Sequence, residues 1–324
     1  MRLDGRRGGA IASTFPQRLP ATLSTRDHDT MTQAVRLAKA ASASQVDIQP
    51  LGPVMGAEIT GLDLSTPLSP EVVAMLEELF AEYKLLCFRD QDLTPEQQLA
   101  FTELWGPPLE HTMANHVRGG PNDYVQIASN LTAEGKPNGK HPDPSAMRWH
   151  TDRSWRSDPA LATILFGAET PGVGGDTLFC NASMAFDALP DDMRQRLESM
   201  RVIHSVEYSR RTGDGPPATE YELKIGPPVA HPVARKHPVT GRRALYLGCH
   251  AWKMDGMPED EGRRMIDELM AFATQDRFVY RHKWKRHDLV MWDNRCTFHA
   301  ATPYDTAKEI RVTHRTVVQG GPTS

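Results

Sequence analysis

The residues best suited to chemistry in this chain are two histidines and an aspartate. His150 and Asp152 lie two positions apart in the stretch Trp149-His150-Thr151-Asp152, and His299 follows far downstream. On an extended strand, side chains two positions apart project from the same face, so His150 and Asp152 can reach one metal ion. His299 can complete the set of ligands. Two imidazoles and one carboxylate on one face of a metal leave the opposite face open, which is typical of non-heme iron(II) oxygenases.

Two arginines near the C-terminal end predict a second kind of site. Arg311 and Arg315 are four positions apart, so they share a face if the segment is a strand. Residues typical of a strand surround them: Val312, Thr313, Thr316, Val317 and Val318. Arginine binds carboxylates through paired, charge-assisted hydrogen bonds. The segment therefore predicts a clamp for a dicarboxylate co-substrate whose other end chelates the metal.

The order of these motifs resembles that of a known family. The motifs are, in order, His150-X-Asp152, Gly174-Gly175-Asp176-Thr177, Trp292-Asp293-Asn294 with His299, and Arg311 with Arg315. Over about residues 48–318, the chain is similar to the TauD/TfdA family of iron(II)- and 2-oxoglutarate-dependent dioxygenases. The segments 278–284 and 288–296 look most like the branch that includes 2,4-dichlorophenoxyacetate dioxygenase.

The resemblance implies roles for five of these residues. It makes His150, Asp152 and His299 the ligands of Fe(II). It also implies that Thr177 and Arg311 hold the far carboxylate of 2-oxoglutarate, with O2 as the second co-substrate. The implied reaction hydroxylates a small anionic substrate, with cleavage where the product collapses, and releases succinate and CO2.

Arg315 is a candidate for two sites, since the resemblance puts it near the substrate's anionic group or the near end of 2-oxoglutarate. The chain departs from the pattern at Ala300, because relatives commonly have arginine directly after the distal histidine. We expect this change to affect local packing or substrate range rather than competence.

The polar residues 111–146 are rich in His, Asn, Gly and Pro, and we predict that they form a lid over the metal. In the family, substrate contacts come from this region and from residues beside the first two ligands. The substrate-pocket candidates are therefore His111, His116, Met147 and Arg153, together with Arg315. Arg153 points to the other face of an ideal strand, so only a bulge would bring it inward.

Several functions remain open at this point. The likeness of one branch favours an aryloxyalkanoate such as 2,4-dichlorophenoxyacetate as substrate, and the alternatives are taurine or another alkylsulfonate, or an alkyl sulfate. A zinc hydrolase could use the same three ligands, because zinc also accepts His and Asp with one open position. A non-catalytic module that binds a small acid is the third class. Release of succinate would separate the dioxygenase from both.

Composition bounds the partners and the location. A net charge of -4 over 324 residues argues against nucleic acid or an anionic membrane as the main partner. Four scattered cysteines indicate neither a zinc ribbon nor a disulfide framework. No stretch approaches the ~18 apolar residues of a membrane span. We therefore expect a cytoplasmic enzyme, and the resemblance implies a homo-oligomer, either a dimer or a tetramer.

The elements that must position these side chains begin after residue 45. Residues 1–45 lack a sustained apolar run and predict a disordered extension, unless the true start is Met31. Residues 46–324 predict a single domain, mainly β with flanking helices. Helices are predicted from Ser69 and from Thr94, each followed by Pro and Glu, and residues 205–230 predict a flexible insert. Many short strands suit a jelly roll, and the family fold is the cupin-like double-stranded β-helix.

Overall fold

A computed structural model describes residues 46–111, 123–213 and 217–323. The predictions for residues 1–45 and for His116 lie outside the described residues. The strands within the described ranges are β1 (Asp47–Pro50), β2 (Ala57–Thr60), β3 (Leu85–Phe88), β4 (Gln126–Ser129), β5 (Ala162–Glu169), β6 (Thr177–Asn181), β7 (Arg201–His204), β8 (Val229–Pro232), β9 (Ala234–Lys236), β10 (Arg243–Leu245), β11 (Ala251–Met254), β12 (Val279–His282), β13 (Leu289–Asp293), β14 (Thr297–Ala301) and β15 (Val312–Val318).

Helices flank these strands. They are α1 (Pro70–Tyr83), α2 (Pro95–Glu103), α3 (Ala182–Asp187), α4 (Asp191–Glu198), α5 (Val206–Arg211), α6 (Glu220–Ile225) and α7 (Glu259–Ala273), with single 3-10 turns at Pro144–Met147 and Asp276–Phe278. Within the described part of the chain, no helix combines the length and the apolar character needed to cross a membrane.

Two facing sheets form the core of the fold. The larger has seven strands in the order β1-β2-β3-β13-β5-β15-β4, and the smaller has the order β12-β6-β14. Pairing is antiparallel except between β2 and β3. Phe179 of β6 meets Trp292 of β13 with ring centroids 5.3 Å apart, so the sheets pack against each other. This confirms the predicted mainly β architecture with flanking helices.

Two helices cover the outer face of the seven-stranded sheet. Helix α1 begins where the Ser69 hydroxyl accepts the amide of Val72, and α2 begins in a capping box between Thr94 and Gln97. Both starts agree with the sequence prediction. Their apolar side chains, with Phe101 of α2 as an example, pack on buried residues of β5 and β13. Burial of this layer excludes water from one side of the sheet that carries Arg315.

Within the segment 205–230, the described residues 205–213 and 217–230 are more ordered than the sequence predicts. Ser205 caps α5 by accepting the amide of Tyr208, and Thr219 and Glu222 form a capping box that starts α6. Arg210 of α5 donates to Glu222 of α6 at 3.1 Å, and the Glu222 side chain is almost fully buried. The prediction of a flexible insert was wrong here, because these caps and this buried ion pair define two helices between the Gly and Pro residues.

A buried histidine that contacts the C-terminal segment predicts how stability depends on pH. His231 of β8 donates from Nε2 to the Ser154 carbonyl at 2.8 Å, and Nδ1 accepts the Thr323 hydroxyl at 2.8 Å, so the neutral ring fits both partners. Burial lowers the pKa of His231 to about 4. Between about pH 6.5 and 4 the unfolded chain therefore binds a proton that the folded chain does not. As the pH is lowered through this window, the free energy of unfolding should decrease, and His231 should account for up to ~3 kcal/mol of the decrease.

Urea unfolding of the wild-type protein and of His231→Gln at several pH values between 7 and 4 would measure this contribution. The variant should lose less stability than the wild type as the pH falls. Parallel losses in the two proteins would contradict the assignment of the proton to His231.

Candidate active site

The structure brings His150, Asp152 and His299 together, although not as the sequence argument assumed. His150 forms an isolated bridge with His299 of β14, with backbone N to O distances of 3.0 Å and 2.8 Å. The chain then turns at Asp152 instead of continuing as a strand. The alternation of strand side chains therefore does not apply at Asp152. The turn itself presents the carboxylate, whose oxygens lie 3.7 Å from His150 Nε2 and 3.6 Å from His299 Nε2.

The first histidine is held in the tautomer that a metal ligand needs. His150 Nδ1 lies 2.7 Å from the carbonyl oxygen of Arg148. A carbonyl only accepts, so Nδ1 carries the proton and Nε2 offers its lone pair toward Asp152. Burial lowers the pKa of His299 well below its ordinary value, with the nearby His150 as the next cause, so this ring is also neutral. The ring nitrogen of His150 that faces Asp152 is therefore Nε2, and the neutral ring of His299 is in the form that binds metals.

The carboxylate is ionised and fixed. Burial alone would raise the pKa of Asp152, but the guanidinium of Arg315, 2.6 Å away, outweighs it and holds the pKa well below the ordinary range. The Thr163 hydroxyl donates to the other oxygen at 2.6 Å, and the side-chain oxygen of Asn294 accepts the amide of Asp152 at 3.2 Å. These contacts set the orientation that a ligand needs before a metal binds.

These three residues fit a divalent metal ion. One ligand atom from each lies within 4.8 Å of the others, and two nitrogens with one oxygen suit iron or zinc. Two further clusters of potential ligands occur among the described residues: Cys87 with His282 and Asp288, and His237 with Asp293 and Cys296. Neither lines the cavity into which His150, Asp152 and His299 open.

The predicted co-substrate residues line the same cavity. Thr177, the first residue of β6, and Arg311, directly before β15, both line it. A register shift between Val312 and Thr313 separates Arg311 from the regular strand, yet Arg315 lines the same cavity. Arg311 is 7% exposed, and no carboxylate pairs with its guanidinium in the described ranges. A buried cation without a counterion is unfavourable, so a ligand carboxylate would compensate it.

A second group of lining residues comes from the turn after Asp152 and from α5. Arg153 has φ 56°, a left-handed conformation, and this turns its side chain into the cavity in place of the bulge that the sequence argument required. Its guanidinium lies 5.8 Å from the ring centroid of Trp155. His250, Val206 and Trp155 also line the cavity. This group combines positive charge with an apolar wall.

Other predicted substrate residues have different surroundings. His111 lines the cavity, but its Nε2 lies 2.9 Å from the Tyr124 carbonyl, and burial lowers its pKa to about 3. Met147 is 40% exposed and is not among the lining residues. Ala300 is buried in β14 and its neighbour Ala301 lines the cavity, which agrees with a role for position 300 in local packing.

Sequence reasoning missed several residues that line the cavity, among them Ser209, Arg210, Cys249 and His250. None of them lies in a recognisable motif, and two belong to the segment predicted to be flexible. Helix α5 and the residues before β11 bring them to the cavity, where the Ser154 hydroxyl lies 3.3 Å from His250 Nδ1. Only the tertiary packing of these segments could reveal them.

Comparison with known proteins identifies the family of the chain. The family model described as "Taurine catabolism dioxygenase TauD, TfdA family" matches residues 47–317. An alpha-ketoglutarate-dependent 2,4-dichlorophenoxyacetate dioxygenase from Cupriavidus pinatubonensis is 36% identical over 271 residues, which cover 81% of this chain and 94% of that protein. An (S)-phenoxypropionate/alpha-ketoglutarate-dioxygenase from Sphingobium herbicidovorans is 34% identical and covers 86% of this chain and 96% of that protein.

A solved structure is also similar. The crystal structure of AAD-2 in complex with Mn(II) and N-oxalylglycine aligns with a TM-score of 0.76 and 36% identity, covering 86% of this chain and 98% of that one. The jelly-roll core predicted from the sequence is thereby confirmed. These likenesses favour a dioxygenase that uses 2-oxoglutarate, another name for alpha-ketoglutarate, and O2 over a zinc hydrolase or a non-catalytic binder. The chain belongs to the TauD/TfdA family and is a 2-oxoglutarate-dependent dioxygenase.

Proposed function

We propose that the protein uses Fe(II) and 2-oxoglutarate to hydroxylate a small anionic substrate that carries an aryl group. His150, Asp152 and His299 hold the metal through two neutral imidazoles and one ionised carboxylate. Thr177 and Arg311 hold the far carboxylate of the co-substrate. When bound together, Fe(II) and 2-oxoglutarate supply the activation of O2, with succinate and CO2 as products.

The observation that carries the substrate class is the mixed character of the cavity wall beside the metal ligands. Arg153 and His250 offer donors for an anionic group, and Arg315 adds a third at the border with the co-substrate. Trp155 and Val206 offer apolar side chains against which an aromatic ring can pack. An aryloxyalkanoate satisfies both parts, because it joins an aromatic ring to a carboxylate through a short ether link.

The helices α5 and α6 hold this wall in place. Trp155 rests on Gly226, since a Cβ atom there would lie 2.1 Å from the indole, and no larger residue fits. Arg148 ties the base of the wall to α5 by donating to the Ser209 carbonyl at 3.2 Å. The side chains thus orient the substrate beside the metal and keep bulk water from it.

A substrate panel tests this function. Oxygen uptake and succinate release would be measured with 2-oxoglutarate, Fe(II) and one member of each class: an aryloxyacetate, an aryloxypropionate, taurine and an alkyl sulfate. We expect the highest kcat/KM with an aryloxyalkanoate. Taurine and alkyl sulfates are the alternative, because a sulfonate or sulfate offers the same arginines an anion, and faster turnover of either would assign the cavity to them.

Trp155 provides a more specific prediction. Trp155→Leu removes the aromatic wall while leaving the cationic side chains, so KM for an aryloxyalkanoate should rise about tenfold. KM for taurine should change little, because taurine has no ring to pack. Trp252→Leu is the matched control, since Trp252 of β11 lies outside the cavity. An equal rise of KM for both substrates would contradict the role of Trp155 in ring recognition.

The homo-oligomeric state and the cytoplasmic location stay predictions from the sequence. Light scattering of the purified protein would test the first, and the expected result is a dimer or a tetramer.

A further inference from the structure

Thr177 has an unusual hydrogen-bond partner for a residue that faces the active-site cavity. Its hydroxyl oxygen accepts the indole N–H of Trp284 at 3.0 Å, and both side chains are buried. Trp284 lies two residues beyond β12 and does not itself line the cavity. His282, the last residue of β12, is the cross-strand partner of Thr177, so the chain curls back over Thr177 to bring the indole into contact.

The chemistry of the two groups fixes the direction of the hydroxyl proton. An indole N–H can only donate, so the Thr177 oxygen uses a lone pair in this contact and keeps its own proton for another acceptor. No acceptor for that proton occurs in residues 46–111, 123–213 and 217–323. Because Thr177 lines the same cavity as Arg311, the proton is available to an anionic ligand there.

The indole is held on several sides. His282 meets its ring edge-on with centroids 4.7 Å apart, and His282 in turn lies 3.1 Å from Asp288, which pairs with Arg89 at 2.6 Å. Gly167 of β5 also lies against the indole, since a Cβ atom there would be 3.2 Å from the ring. This packing gives Trp284 little freedom to turn its N–H away from Thr177.

We propose that Trp284 is a positioning residue for the co-substrate, acting through Thr177. Its N–H occupies the lone pair of the hydroxyl and so directs the hydroxyl proton to the far carboxylate of 2-oxoglutarate. The proposal rests on the assignment of Thr177 and Arg311 to that carboxylate, and it adds a donor outside the cavity that the assignment does not require.

Binding of two 2-oxo acids tests the proposal without turnover. Calorimetric titration of Fe(II)-loaded protein, without oxygen, would give dissociation constants for 2-oxoglutarate and for pyruvate, which lacks the far carboxylate. Trp284→Phe should raise the constant for 2-oxoglutarate about fivefold, since an ionic hydrogen bond is weakened rather than removed. The constant for pyruvate should not change. A purely structural role of Trp284 would weaken both ligands.

A double-mutant cycle separates this inference from the function on which it rests. Thr177→Val should weaken 2-oxoglutarate at least as much as Trp284→Phe, and adding Trp284→Phe to Thr177→Val should have no further effect. Trp252→Phe, whose indole donates to Glu259 away from the cavity, is the matched control and should bind like the wild type.

Three outcomes would overturn the proposal. Trp284→Phe could weaken the binding of both ligands equally, or the two substitutions could have additive effects in the double variant. The third is that Trp284→Phe leaves 2-oxoglutarate binding unchanged while Thr177→Val weakens it. If Thr177→Val itself leaves 2-oxoglutarate binding unchanged, the assignment of Thr177 fails as well. Thermal unfolding of each variant shows whether it folds. If Trp284→Phe does not fold, Trp284→Leu, which also lacks the indole N–H, takes its place in the same titrations.

Discussion

Replacing Asp152 with asparagine should strongly lower both the metal affinity and the rate of turnover while leaving the protein folded. The carboxylate is the only negative charge in the proposed ligand set, and its oxygens lie within 3.7 Å of both imidazoles. Asparagine keeps the shape and can still accept the Thr163 hydroxyl, but it removes the charge that attracts a divalent ion. A loss of about 4 kcal/mol corresponds to roughly a thousandfold lower rate.

Metal titration and oxygen uptake on the same samples measure the two effects together. Asp158→Asn is the matched control. Asp158 lies close to Asp152 in the sequence, but it pairs with Arg156 and does not line the cavity. It should retain the activity and metal affinity of the wild type. An Asp152→Asn protein with full turnover would show that the carboxylate is not a ligand, and the proposed metal centre would have to be abandoned.

The sequence predicted the parts of this protein that depend on local chemistry. The two helix starts at Ser69 and Thr94 follow from side chains that accept amides of their own first turn, so neighbouring residues suffice to identify them. The same holds for the strand that carries Arg315, whose β-branched neighbours favour extended backbone. The prediction that His150 and His299 lie together depended on the family resemblance, because no local sequence pattern relates residues so far apart.

The substrate side of the cavity was less predictable, for a physical reason. Arg153 enters the cavity through a left-handed backbone conformation that few non-glycine residues adopt, and no neighbour in the sequence signals it. Arg210 and His250 reach the cavity only because α5 and the residues before β11 pack beside it. Positions set by such long-range packing are absent from sequence periodicity, and they are also the positions that distinguish one substrate from another.

Removing the guanidinium of Arg311 should weaken co-substrate binding without lowering the stability of the ligand-free protein. In the ligand-free protein this charge is buried, burial lowers its pKa, and no carboxylate pairs with it in the described part of the chain. It therefore costs free energy until a ligand anion arrives. Arg311→Met keeps much of the side-chain volume and removes the charge, so the ligand-free variant should unfold at the same temperature as the wild type or at a higher one.

The same substitution should raise KM for 2-oxoglutarate about a hundredfold, because a paired contact to a charged group contributes about 2.7 kcal/mol. The value of kcat should change only a few-fold, since Arg311 is proposed to contact the end of the co-substrate that does not react. A concentration of 2-oxoglutarate that just saturates the metal-loaded wild type should raise its unfolding temperature, and it should raise that of the variant much less. Arg286→Met is the control, because Arg286 is largely exposed and pairs with Glu169. A strong loss of stability in ligand-free Arg311→Met would mean that the guanidinium supports the fold itself, and the reason for its burial would then not be the co-substrate.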